Sequence, residues 1–274
     1  MKDFAELLQY IYAKDLSDKK TWYSSVAEAY DKNRPRYPQG LIHRVVEIAQ
    51  LPASATILEL GCGPGIATVE FAKLGFSVIC LEPSREACEL ARQNCSQYKN
   101  VQIHNITFEE WEQQGEKFDA VLAASSFHWV SGEIRCMKSA DVLKDNGSLV
   151  LLWNKEPQPN YEIYQHLSKV YQQIAPQLVR YEDRVMQEKV IREFGESIID
   201  PSYFTDIVYG QQFCSVDYTI DDYLGLLSTL SPYIALETEY RNRLFSGLRE
   251  VLLTQCGDRL HTYHLSAFHI ARKK

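Results

Sequence analysis

Ile57-Leu58-Glu59-Leu60-Gly61-Cys62-Gly63-Pro64-Gly65-Ile66-Ala67 is an apolar run that enters three glycines at alternate positions and leaves as a helical pattern. Without Cβ atoms, the backbone at Gly61, Gly63 and Gly65 can turn sharply and approach a flat ligand, and the following helix start offers unpaired amides. A dinucleotide fingerprint, G-x-G-x-x-G, places its third glycine a step later so that a pyrophosphate rests on the helix N-terminus. Here Gly65 comes one residue early and Pro64 lies inside the loop. Glu59 adds a carboxylate that would repel a diphosphate and attract an ammonium group. The loop suits a ligand with a cationic end.

Working outward, Val78-Ile79-Cys80-Leu81-Glu82-Pro83-Ser84 is a second buried run. It ends in a carboxylate about 20 residues beyond the glycines, the separation at which an acidic side chain accepts from ribose hydroxyls. Strands are expected at 56–60, 77–81, 100–104, 118–123 and 147–153, with helical segments between them, which implies right-handed crossovers and a parallel sheet. Runs such as Ala120-Val121-Leu122-Ala123-Ala124 fit strands covered on both faces. Residues 204–213 and 262–271 alternate at period two and predict an antiparallel pair closing the sheet. Between the two parts, Leu167, Val170, Tyr171 and Ile174 give a helical cap over 155–200. A second helical insert, about 217–256, is interrupted by Pro232, which cannot donate inside a helix. The expected units are thus 1–154, an N-terminal lid segment with the cofactor-binding half; 155–200, the cap; and 201–274, the last strands with the second insert.

The 274 residues, 45% hydrophobic, suffice for one domain with insertions or two small ones. A formal net charge of -7 argues against a general nucleic-acid surface, which needs a basic stripe. No apolar run approaches the roughly 20 residues that span a bilayer, and Met1-Lys2-Asp3-Phe4-Ala5-Glu6 lacks the layout of a signal peptide, so a cytoplasmic setting is expected. The seven cysteines form no C-x-x-C pair or histidine cluster, so reduced thiols are expected and no metal.

Four motifs in order resemble the class I methyltransferases that use S-adenosylmethionine. They are the glycine loop, the Glu82 strand end, Phe118 to Ala124 followed by Ser125-Ser126-Phe127-His128-Trp129, and Leu143-Lys144-Asp145-Asn146-Gly147-Ser148-Leu149-Val150. The resemblance implies a doubly wound, mostly parallel α/β sheet of seven strands with an antiparallel C-terminal strand, Rossmann-like, with helical inserts. Tyr30-Asp31-Lys32-Asn33-Arg34-Pro35-Arg36-Tyr37-Pro38 is similar to the segment ahead of the first strand in trans-aconitate methyltransferase-like members, of the small-molecule methyltransferase type 11 subgroup, where it folds over the cofactor.

What the resemblance implies for cofactor contact is Tyr30, Arg34, Tyr37, Glu59, Gly61, Gly63, Gly65, Glu82, Pro83, Ala123, Ala124 and Ser125. At the third-strand exit Thr107, also counted among the contacts, stands where relatives often have aspartate, so Phe108 or its backbone, with Glu109 nearby, is expected to contact the adenine instead. Arg34 or Arg36 has the chemistry to pair with a carboxylate bidentately, and Tyr30 or Tyr37 to close on a sulfonium. His128 is the candidate base beside the acceptor, with a packed wall residue as its alternative. Trp129, Ser231 and Tyr233 complete the expected substrate side.

The leading expectation is methyl transfer to a small-molecule acceptor, a carboxylic acid among the candidates, with S-adenosylhomocysteine as product. A methyltransferase acting on tRNA or protein and a binding protein without turnover stand as alternatives. A nicotinamide dehydrogenase is disfavoured by the glycine spacing.

Overall fold

A computed structural model of the chain describes residues 14–274. Residues 1–6, read above for a leader, and the start of the 1–154 unit lie outside them.

The expected strands form one sheet: β1 (Thr56–Leu60), β2 (Ser77–Leu81), β3 (Val101–His104), β4 (Phe118–Ala124), β5 (Leu143–Asn154), β6 (Phe204–Thr219) and β7 (Arg259–Lys273). Their order is β3-β2-β1-β4-β5-β7-β6. β1 to β5 pair in parallel, and β7 lies antiparallel between β5 and β6. This is the Rossmann-like methyltransferase topology that the four motifs implied.

The strand period of two separates two cores. Leu58, Leu60, Val121, Ala123, Leu149 and Leu151 face one side and Ile57, Val78, Ala120, Leu122, Val150 and Leu152 the other, all buried. Each such side chain contributes roughly 1.5–3 kcal/mol when fully buried, and helices must cover both faces for that to be realised. α1 (Leu16–Thr21) and α2 (Ala27–Asn33) open the described chain; α3 (Gln39–Ala49), α4 (Ile66–Lys73), α5 (Arg85–Asn94) and α6 (Arg135–Val142) follow.

The segment read as one helical cap divides. α7 (Tyr161–Ile174) puts Leu167 and Tyr171 into a third cluster. That cluster also contains α9 (Ile220–Ser228), α10 (Ser231–Ile234) and α11 (Thr238–Cys256). α8 (Arg184–Ser197) instead buries Ile191 with Ile198 and Phe204 on the sheet. Pro232 sits in the first turn of α10, where a missing N–H costs nothing. Among the described residues, no helix is long and apolar enough to cross a membrane.

Candidate active site

The strand order reverses between β1 and β4, and open α/β sheets bind ligands at such a switch point, outside the carboxyl ends of the strands. A cleft of about 980 Å³, open mouth included, lies there, with Leu60, Leu81 and Ala124 at its floor. Gly61 and Gly63 form one wall, with φ of +64° and +55°. A Cβ on Gly61 would lie 2.8 Å from the Ser126 Cβ, whereas one on Gly63 would meet nothing within 4 Å. Gly61 thus lets two loops touch, and Gly63 keeps the cleft face bare. Gly65, also at positive φ, caps α4 and faces Ala91 of α5 and Cys95 at that helix's C-terminal cap, so its role is helix packing.

Glu82 lines the cleft at the end of β2. Its Oε2 accepts from Gly63 N and its Oε1 from Ser84 N, each at 2.8 Å. Burial pushes its pKa up to about 7, against the two amide bonds that lower it. Pro83, Thr107 and Phe108 continue this wall. Thr107 Oγ1 donates to Glu110 Oε2 at 2.9 Å, and Phe108 stacks on Trp111 with centroids 6.4 Å apart.

Across the cleft, Ser125 adopts φ +57°, and its Oγ lies 3.4 Å from Tyr37 Oη. Burial pushes the Tyr37 phenol well above its ordinary value, so it stays neutral. Tyr30, Arg34, Tyr37, Ala124, Ser125 and Asn154 line an adjoining recess of about 430 Å³, open mouth included.

Residues 16–30 roof the cleft. Leu16, Lys20, Tyr23, Ala27 and Tyr30 all face it. Lys20 Nζ lies 2.6 Å from Glu110 Oε1, Ser24 Oγ 3.1 Å from Ser84 Oγ, and Tyr23 Oη 2.7 Å from Ser231 Oγ, which also accepts from Trp22 Nε1. The roof is tied to both walls and to the second insert. Sequence reading missed Lys20, Trp22 and Tyr23, although cleft-facing residues spaced 4, 3, 4 and 3 apart carry the signal of one helical face.

Several expected site residues lie elsewhere. Glu59 is not in the cleft but beneath the glycine loop, fully buried; Thr68 Oγ1 donates to its Oε2 at 2.6 Å, while its Oε1 has no partner among the described residues. Burial raises its pKa to about 7. Ala123 is sealed inside β4. Arg34 is committed: its Nε donates to Thr229 Oγ1 at 2.8 Å and its Nη2 to Thr229 O at 2.9 Å, with the guanidinium 4.6 Å from the Tyr30 ring centre. Arg36 is an exposed partner of Asp31.

His128 takes the packed-wall placement that stood as the alternative to a base. Its ring packs against Trp129, Trp153 and Phe194, at 5.6–6.0 Å between centroids, and does not line the cleft. Burial lowers its pKa to about 3, so it is neutral and a poor proton acceptor at ordinary pH. Trp129 does face the cleft. Of the two residues expected in the second insert, Ser231 anchors the roof, and Tyr233 lines a separate cavity in the cap. Among the described residues, no group of three or more His, Cys, Asp or Glu is placed to hold a metal, and the seven cysteines are free.

Residues 57–147 match the family model described as a methyltransferase domain. The chain is 33% identical over 133 residues to an uncharacterized methyltransferase of Mycobacterium tuberculosis, covering 48% of this chain and 51% of the relative. The chain therefore spans about half the length of that relative. An uncharacterized methyltransferase of Schizosaccharomyces pombe matches at 25% identity over 86% of this chain and 88% of its own length. The fold is shared with the solved structure of a type II methyltransferase candidate from Anaeromyxobacter dehalogenans, at a TM-score of 0.64, 19% identity and coverage of 87% of this chain and 97% of that one.

Proposed function

We propose that this chain, which carries a class I methyltransferase domain, binds S-adenosylmethionine in the cleft at the ends of β1, β2 and β4 and passes its methyl group to a small molecule, leaving S-adenosylhomocysteine. The observation that carries this reading is Glu82, a buried carboxylate in the cleft wall beside a glycine with open space before it. A carboxylate there accepts from vicinal ribose hydroxyls. Gly61, Gly63, Ala124 and Ser125 would lie along the amino-acid end of the cofactor, Glu82 on its ribose, and Pro83, Thr107 and Phe108 about its adenine.

When bound, the cofactor supplies an electrophilic methyl carbon on a positively charged sulfur. What remains for the protein is to position an acceptor in line and to exclude water. The aromatic faces of Tyr30 and Tyr37 suit a positive charge, and the roof over residues 16–30 shields the cleft. The grip on an acid expected of Arg34 loses support, because two of its donors already serve Thr229. The net charge of -7 favours a small acceptor over a nucleic acid.

Calorimetry tests this reading directly. Micromolar binding of S-adenosylhomocysteine with no binding of NAD is expected, and the reverse pattern overturns it. Methyl transfer from labelled S-adenosylmethionine to a metabolite extract then reads turnover.

A further inference from the structure

A second cavity, of about 490 Å³ with its open mouth included, lies in the cap beyond the end of β5. Glu156, Arg180, Tyr164, Tyr171, Tyr223 and Tyr233 line it. It is not remote from the cleft. Glu156 stands two residues past Asn154, which lines the cleft recess, and two residues of extended chain span at most about 7 Å. The Arg34 guanidinium, in that same recess, is close enough to act on the Glu156 carboxyl.

The charges in and beside the cavity, where Glu156 and Arg180 line it and Lys155 and Glu182 stand behind, are unevenly paired. Glu182 takes both neighbouring cations, with Lys155 Nζ at 2.6 Å from its Oε2 and Arg180 Nε at 3.3 Å from its Oε1. Among the described residues, the Glu156 carboxylate has only the 3.9 Å approach of Arg180 Nη2. Burial holds its pKa up, although Arg180, Lys155 and Arg34 all pull it down. A partly buried carboxylate so loosely paired gains most from a charged hydrogen-bond donor. The tyrosines form the rest of the wall, with Tyr171 Oη and Tyr233 Oη 2.7 Å apart. Their ring faces attract cations.

We propose that the cap cavity is the acceptor pocket and that it takes a small molecule bearing an amino group, whose ammonium sits on Glu156 among the tyrosine rings. The proposal rests on the methyl-transfer reading above. Lys155 and Arg180 balance Glu156 and Glu182, and the further cation that acts on Glu156, Arg34, has two of its donors on Thr229. A carboxylate ligand would instead face Glu156, and the nearby cations are already engaged on Glu182.

Matched probes test this on the wild-type chain: phenethylamine and 3-phenylpropionate, observed by saturation-transfer NMR on protein saturated with S-adenosylhomocysteine. Binding of the amine and not of the acid is expected. Glu156→Gln, nearly isosteric, should weaken amine binding at least tenfold while calorimetry gives unchanged affinity for S-adenosylhomocysteine. Equal or preferred binding of the acid, or undiminished amine binding by Glu156→Gln, overturns the proposal. The probe comparison needs no variant, so a folding defect in Glu156→Gln leaves the test intact. Absence of S-adenosylhomocysteine binding strikes the methyl-transfer reading instead, and amine selectivity can still be read without it.

Discussion

The cleft and the cap cavity are neighbours built on opposite plans. The cleft is shaped by backbone: glycines at positive φ, the ends of β1, β2 and β4, and a carboxylate held by two amides. The cap cavity is shaped by side chains from α7, α9, α10 and the segment after β5, four of them tyrosines. A backbone-built site tolerates little change, because a Cβ atom at the wrong place has nowhere to go. A side-chain-built site can be respecified residue by residue while its helices stay packed. That division suits a fixed cofactor beside a variable acceptor.

The sharpest way to break the comparison is at the glycines. Gly61→Val should cost about 1–2 kcal/mol for its left-handed backbone and about 1–3 kcal/mol more for the contact with Ser126. S-adenosylhomocysteine affinity should fall at least 100-fold, by calorimetry. Gly63→Ala carries only the backbone cost, so it should melt closer to wild type yet still bind poorly, since its methyl enters the cleft. If Gly61→Val binds normally, the cleft is not backbone-built.

A smaller effect should come from the carboxylate beneath the loop. Glu59 has a folded pKa of about 7 against an ordinary value of 4.5. Its favourable contribution is full below 4.5 and is lost as pH rises through 7, because the unfolded chain releases the proton first. Glu59→Gln should flatten the fall in thermal stability between pH 5 and 7 and raise stability at pH 8 by about 1–3 kcal/mol. An unchanged pH profile would mean that Glu59 carries no such penalty.

Arg34 joins the two regions, since it reaches from the segment ahead of α3 to Thr229 in the second insert. Arg34→Ala should destabilise by about 1–2 kcal/mol through the lost hydrogen bonds and ring contact, with Arg36→Ala, an exposed pair, below about 0.5 kcal/mol. Equal melting temperatures for the two variants would show that the link contributes nothing. The smallest expected effect is at His128. His128→Phe should keep turnover within about threefold of wild type, and a hundredfold loss with unchanged melting would restore it as a base.

The cleft half was legible because its signals are local. Glycine spacing, an apolar run and a terminal carboxylate each lie within one strand and its turn, where sequence distance and spatial distance coincide. Glu82 and Gly63 are 19 residues apart and still meet, because parallel neighbours β1 and β2 end side by side. The roof was half legible: Tyr30 stood out, but Trp22 and Tyr23 find their partner Ser231 more than 200 residues away. Glu156 carried no local signal, because its loose pairing depends on Arg180 and Glu182, which arrive after α7.

The sequence by itself determined the sheet, its parallel half and the place of the cofactor loop, since hydrophobic period and glycine position act within a few residues. Only the tertiary structure decided where consecutive side chains face. Phe127, His128 and Trp129 form a single 3-10 turn, in which three residues complete one revolution. Phe127 therefore enters the core, His128 meets Trp153 and Phe194, and Trp129 turns to the cleft. No periodicity phases so short a turn; the packing of β5 and α8 around it does.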